Sequence, residues 1–285
     1  MRGTGLVVAA LAVVATGCGD ASSTPSRGLL EVPVSVPTAV PAADGVVRST
    51  EPVVVSDDGT GPRMCFGSIP FDGPPSCSDV AVRGWDWSEV GESSREGVRR
   101  WGAYTLTGTF DGETFDVTEV AGPTAPEPFD VEIPCLTPAG GWTVQDPGRT
   151  SRDDLAAAMN RASRLDGFAT AAVSAPDGAP GPEDPASTVF SVFVVGDVRV
   201  AEAAVREVWG GMLCVTQVEH TDDDFHRMQA RVLEADVPGI TQVGGNLADQ
   251  LEIAVLHDDG SIQRWADGEF GEGVAVVLSN LQPAR

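Results

Sequence analysis

Residues 101–120 read Trp-Gly-Ala-Tyr-Thr-Leu-Thr-Gly-Thr-Phe-Asp-Gly-Glu-Thr-Phe-Asp-Val-Thr-Glu-Val. Two runs rich in β-branched and aromatic residues, Trp101 to Phe110 and Thr114 to Val120, flank Asp111-Gly112. Both residues of that dipeptide accept positive φ, so the stretch predicts a β-hairpin. Working outward, Val53 to Val55, Met64 to Ile69 and Val80 to Trp87 read as three more short strands, with few helical periods between them. Five strands within residues 52–121 predict a small all-β module, barrel-like and OB-like, with the Gly/Pro-rich loop between Cys65 and Cys77 on one edge.

Downstream, prolines at 123, 126, 128, 134 and 138 mark residues 122–138 as a stiff connector. Over residues 139–285 the periodicity changes. Ser151 with Asp154 three residues on opens a helix as a capping box, followed by Leu155, Met159 and Ala162 at helical spacing. Strands are expected at Phe168 to Val173 and Val189 to Val195, then a helix from Asp197 to Gly210, a strand at Met212 to Val218 and a helix capped by Thr221. Leu251 to Leu256, Ser261 to Trp265 and Val274 to Leu278 read as closing strands, the first two joined by an Asp258-Asp259-Gly260 turn. The expectation is an α+β sandwich with one helix-covered sheet, ferredoxin-like, and no further internal repeat. The fold class of the whole chain is thus α+β, two modules in series.

The amino terminus carries Arg2, an apolar run from Leu6 to Ala15, and then Thr16, Gly17 and Cys18. The run falls well short of the roughly 20 apolar residues of a membrane span, so residues 1–17 read as a signal peptide. Ala15, Thr16, Gly17 and Cys18 resemble the lipobox of bacterial lipoproteins, with Ala15 where Leu is commoner. The resemblance implies cleavage before Cys18, a lipid on its thiol, and residence at the extracytoplasmic face of the cell membrane. Residues 18–51, rich in Ser, Ala and Val with prolines at 25, 33, 37 and 41, read as a disordered tether. Extended at about 3.1 Å per residue, such a tether reaches up to about 100 Å.

Without residues 1–17 the chain carries 17 arginines against 42 acidic residues, a balance of −25, and it contains no lysine. Nucleic acid and anionic lipid are disfavoured partners, because both are polyanions. Chemistry that needs a lysine, such as a Schiff base or a Gly-Lys-Ser/Thr phosphate loop, is excluded, and no cofactor is implied.

Four cysteines remain beside Cys18, in a chain whose address permits disulfides. Of the three pairings open to them, Cys65 with Cys77 and Cys135 with Cys214 is favoured. A zinc site on all four thiolates lacks any Cys-x-x-Cys spacing. His220, Asp222, Asp223, Asp224 and His226 form the densest group of metal-competent side chains, with His220, Asp222 and His226 the candidate ligands. Against that reading, three aspartates in the first turn of a helix satisfy its free amides and its dipole. Asp57-Asp58-Gly59 lacks the continuation of a calcium loop and reads as a turn. No Gly-x-Ser-x-Gly elbow or His-Glu-x-x-His helix is present, and His257 sits before a turn, so no catalytic residue is assigned. Trp85 and Trp87, expected on one strand face, are candidates for a stacking platform for a sugar or peptide, although a barrel core also needs large aromatics.

The succession Cys65-Phe66-Gly67, Pro74, Pro75 and Cys77, Gly84-Trp85-Asp86-Trp87, Trp101-Gly102, Tyr104 and Asp111-Gly112 resembles a group of uncharacterised actinobacterial lipoproteins. The resemblance covers mainly the first module; it implies lineage and address and transfers no activity. The expected function is a non-catalytic binding or interaction module of the cell envelope, held to the membrane by its lipid, with an envelope protein or glycan as partner. An envelope hydrolase built from dispersed residues and a carrier of metal or small ligand are the alternatives.

Overall fold

The computed structural model describes residues 35–66, 80–122, 134–176 and 184–284. The chain opens with short strands β1 (Val47–Ser49), β2 (Val53–Asp57), β3 (Arg63–Cys65), β4 (Val80–Arg83) and β5 (Ser94–Glu96), then the long pair β6 (Arg99–Phe110) and β7 (Thr114–Ala121). The expected hairpin is the β6–β7 pair, with Phe110 opposite Phe115. Asp111 Oδ1 accepts from the amides of Glu113 at 3.0 Å and Thr114 at 2.7 Å, which closes the turn. Gly112 has φ +100°, and a Cβ there would meet Val40 O at 2.9 Å, so positive φ and close packing both require glycine.

Hydrogen bonding runs β6–β2–β3–β4–β7 and back to β6, closing a five-stranded barrel; every pair is antiparallel except β4–β7. Alternation along the strands sends Val53 and Val55, Val80 and Val82, and Tyr104 and Leu106 inward, where they meet Met64, Phe110 and Phe115. Each fully buried apolar side chain of this set is worth about 1.5–3 kcal/mol by area removed from water. β4 ends at Arg83, so the strand expected through Trp87 stops four residues earlier.

Residues expected in the tether are part of this fold. Val40 and Ala43 pack on the barrel core and Val36 on the core of the second module. Ala43 N donates to Phe110 O at 2.9 Å. β1 pairs antiparallel with β6, and the buried Ser49 hydroxyl accepts from Leu106 N at 3.1 Å. Prolines at 37 and 41 forbid a helix but suit an extended strap, and the valines between and beyond them give the strap an apolar side. The tether expected over residues 18–51 is therefore overrun from residue 36 onward.

The second module begins with α1 (Arg152–Ala162), β8 (Phe168–Ser174), β9 (Val189–Val194), α2 (Val198–Arg206) and β10 (Met212–Gln217). It continues with α3 (Asp222–Glu234), β11 (Ile240–Gly245), β12 (Leu251–Val255), α4 (Ser261–Phe270) and β13 (Ala275–Ser279). Each half is a helix, an antiparallel strand pair, a second helix and a third strand parallel to the middle one, in two sheets ordered β10–β9–β8 and β11–β12–β13. The single sheet expected is two sheets, and the module is a tandem αββαβ repeat that was not legible in the sequence. Equivalent positions carry equivalent burial. Phe190, Val192 and Val194 of β9 face α1 and α2, as Leu251, Ile253 and Val255 of β12 face α3 and α4.

The capping box at Ser151/Asp154 forms as expected, and Thr221 caps its helix as expected, in a box completed by Asp224. The strand expected over Ser261 to Trp265 is instead the first half of α4. Asp258 accepts from the amides of Ile262 at 2.8 Å and Gln263 at 3.2 Å, and Asp259 from Ser261 at 2.9 Å, so the acidic turn caps a helix rather than joining two strands. Ile262, Trp265 and Ala266 then fall on one buried face at helical spacing.

The last strand, β14 (Leu281–Pro283), leaves the second module and pairs with β1, and Leu281 and Leu256 complete the barrel core. Barrel and tandem repeat thereby belong to one compact unit. Leu281→Ala is expected to cost about 2–5 kcal/mol, as for other fully buried leucines, and to lower the melting of both modules together. Calorimetry checks this; a variant in which the barrel alone melts early contradicts it.

Candidate functional site

Trp85 and Trp87 lie in the turn beyond β4, not on one strand face. Their rings meet edge to face, with centroids 5.1 Å apart and planes at 79°, and Trp85 meets Tyr104 in the same way at 5.1 Å. Both tryptophans are half-buried against the barrel core. The Arg100 guanidinium covers Trp87 at 4.8 Å from the ring centroid, and its Nη2 donates to Trp87 O at 2.9 Å. Trp87 Nε1 donates to Asp57 Oδ2 at 3.3 Å, and Tyr104 OH donates to Glu92 O at 2.8 Å. Burial raises the Tyr104 phenol pKa above its ordinary value. The cluster closes the barrel by mutual packing: perpendicular rings present no shared face, and Arg100 occupies the face of Trp87.

The metal-competent group at the start of α3 separates into two pairs. His226 Nδ1 lies 3.4 Å from Asp222 Oδ2 on the exposed side of the helix. His220 Nδ1 lies 3.3 Å from Asp249 Oδ1, off the angle of a hydrogen bond, with its ring against Phe225. Among the described residues no three His, Cys, Asp or Glu side chains converge on a common point. Asp224 is spent on the cap: its Oδ2 accepts from Thr221 N at 2.8 Å and from the Thr221 hydroxyl at 2.5 Å, and its Oδ1 pairs with Arg227. The Thr221 hydrogen bonds, first the hydroxyl and then the amide, draw its pKa down to about 2. His257 is buried beside Phe110, with Nδ1 3.2 Å from Pro41 O, and so serves the strap. Asp57 and Asp58 fold back on Gly59, Thr60 and Gly61 as a turn.

Cys135 and Cys214 form a disulfide across 79 residues, which in the chain-entropy account is worth roughly 4 kcal/mol. Cys65 is also disulfide-bonded; Cys77, its expected partner, and Cys18 lie outside the described residues. The Cys135–Cys214 bridge lies on the face of the first sheet opposite α1 and α2, with Ser191 Oγ 3.4 Å from Cys135 Sγ. It holds Pro134 beside the end of β10, where the Thr216 hydroxyl donates to Pro134 O at 3.4 Å.

A cleft of about 480 Å³ opens there, between the two repeats. One wall is the chain running from β10 toward α3, Thr216 to Glu219; the other is the β11–β12 turn, Leu247 to Asp249, and Pro134 flanks both. The Asp249 carboxylate joins the walls, accepting from Glu219 N at 2.7 Å and His220 N at 3.2 Å. The cleft sits at the carboxyl end of the parallel pair β9–β10, the end at which ligands enter α/β sheets. Thr216, Glu219 and Asp249 were not singled out from sequence: only tertiary pairing brings residue 249 to residue 219, and no local pattern announces it.

No protein-family model, curated protein or solved structure matches the chain. Among the described residues no helix is long and apolar enough to cross a membrane.

Two outcomes follow from these contacts. Because the folded pKa of Asp224 lies below the ordinary value of about 3.9, its contribution to stability is complete above that value and is lost as pH falls through about 2. Carboxyl NMR titration is expected to show Asp224 as one of the most acidic groups, and an ordinary midpoint contradicts the capping account. Trp87→Ala is expected to cost about 2 kcal/mol of stability, read by urea unfolding; no loss would identify Trp87 as a free surface aromatic.

Proposed function

We propose that the chain is a lipid-anchored extracytoplasmic protein whose folded part is a non-catalytic binding module of the cell envelope, with an envelope protein or glycan as partner. The observation that carries this reading is the Cys135–Cys214 disulfide. It suits an oxidising compartment, agrees with an export signal ahead of Cys18, and borders a cleft between the repeats. The actinobacterial resemblance supports the same address. Sixteen residues separate Cys18 from the described part of the chain, a contour of at most about 60 Å. That is shorter than the reach expected from a tether to residue 51, and it favours a partner close to the membrane. The acidic folded part does not adhere to anionic lipid, so attachment falls to the lipid on Cys18 alone.

An OB-like reading of the barrel is supported by its connectivity, in which the first barrel strand pairs with the second and fourth and the third runs parallel to the fifth. A ferredoxin-like reading of the second module has less support, since each of its sheets has three strands. A hydrolase needs a base facing a nucleophile, whereas the three imidazoles face Asp249, Asp222 and the Pro41 carbonyl.

Crosslinking in living cells, followed by mass spectrometry, tests the proposal. The Cys18-anchored protein is expected to capture a specific envelope component, and Cys18→Ser to lose both membrane attachment and the capture. Unchanged attachment of Cys18→Ser overturns the anchor; turnover of an envelope substrate by the purified protein overturns the non-catalytic reading.

A further inference from the structure

We infer that the cleft between the two αββαβ repeats is a binding site for an alkylammonium group, a primary ammonium on a short aliphatic stem. The inference deepens the reading of the folded part as a binding module and rests on it. Charge comes first. Glu219 and Asp249 both line the cleft, and no arginine among the described residues does. Asp249 is held in place by two backbone amides, one on each oxygen, so its carboxylate is positioned before any ligand arrives. Each oxygen retains a lone pair for a further donor.

The remaining lining completes the match. Val218, Leu247, Ala248 and Pro134 offer apolar surface to a methylene stem, while the Thr216 hydroxyl and the Gln217 carboxamide supply neutral acceptors beside the two carboxylates. The surroundings also favour a cation. The chain has no lysine to compete for the site, and the basic group beside the Asp249 carboxylate is His220, whose Nδ1 lies 3.3 Å from Oδ1. With a net charge of −24 over the whole sequence, the long-range field draws cationic ligands inward.

Such a group has two sources, the basic side chain of a peptide and a free aliphatic diamine, and the test separates them. Nα-acetyl-lysine amide, cadaverine and Nα-acetyl-norleucine amide are titrated into the full-length protein in detergent, followed by calorimetry and by amide chemical shifts of residues 216–219 and 247–249. Saturable binding of the lysine amide or the diamine, with no binding of the norleucine amide, is expected; the tighter of the two names the source. Glu219→Gln, at an exposed position, is expected to weaken binding by roughly threefold, in line with one partly solvated ion pair. Ala248→Phe, which fills the cleft from an exposed turn, is expected to abolish binding with melting unchanged. Equal binding of the norleucine amide, no saturable binding of either amine, or wild-type affinity in both variants overturns the site. If the amines fail while the anchored protein still captures an envelope partner, the cleft assignment is wrong and the binding module stands; if capture fails as well, both fall.

Discussion

The pairing of β1 with β6 on one side and with β14 on the other is the constraint on which the rest of the structure depends. Three residues near the start of the folded chain lie between the spine of the barrel and the strand that ends the tandem repeat. Val47 and Leu281 are buried on the same core as Leu106 and Phe110, so apolar burial locks the arrangement that hydrogen bonding draws. A chain that reads as beads on a string is thereby closed on itself. The strap from Val36 to Ala43 reinforces the closure, with Val36 on the core of the second repeat and Val40 and Ala43 on that of the barrel.

That closure fixes what the molecule can present. Pro134, held by the Cys135 disulfide to β10, flanks the inter-repeat cleft, and the Asp249 carboxylate ties the chain after β10 to the β11–β12 turn. A covalent bond and a pair of charge-assisted hydrogen bonds thus border a space whose walls come from different repeats. By contrast, the aromatic cluster around Trp85 and Trp87 is directed at the barrel itself. Its rings pack on one another and under Arg100. The same residue types that suggest a ligand platform in sequence therefore serve packing here, and the ligand-facing chemistry falls to polar and acidic residues with no conspicuous pattern.

Legibility followed the range of the determining interaction. The β6–β7 hairpin, the capping box at Ser151 and the Thr221 cap are set by residues within a few positions of one another, and they stand out. The partnering of Cys135 with Cys214 is one of three pairings the sequence leaves open, and the fold decides it by bringing residue 135 to β10. α4 reads as a strand in the sequence because Asp258-Asp259-Gly260 serves equally as a hairpin turn or a helix cap, and only the burial of Ile262 and Trp265 on one face decides between them. The strap reads as tether because its prolines exclude helix without excluding extended packing. The αββαβ duplication left no trace of spacing, since an apolar alternation can be met by Phe190 and Val192 in one half and by Leu251 and Ile253 in the other. The cleft was invisible because residues 219 and 249 meet only in the folded chain.

Native-state hydrogen exchange tests most directly the claim that strap, barrel and tandem repeat are one cooperative unit. The account predicts that the amides of Val47 and Leu281 exchange through the same global opening as those of Leu106 in the barrel and Ile253 in the second repeat. Two separate tiers of protection, one for the barrel and another for the tandem repeat, with β1 and β14 exchanging freely, would contradict it.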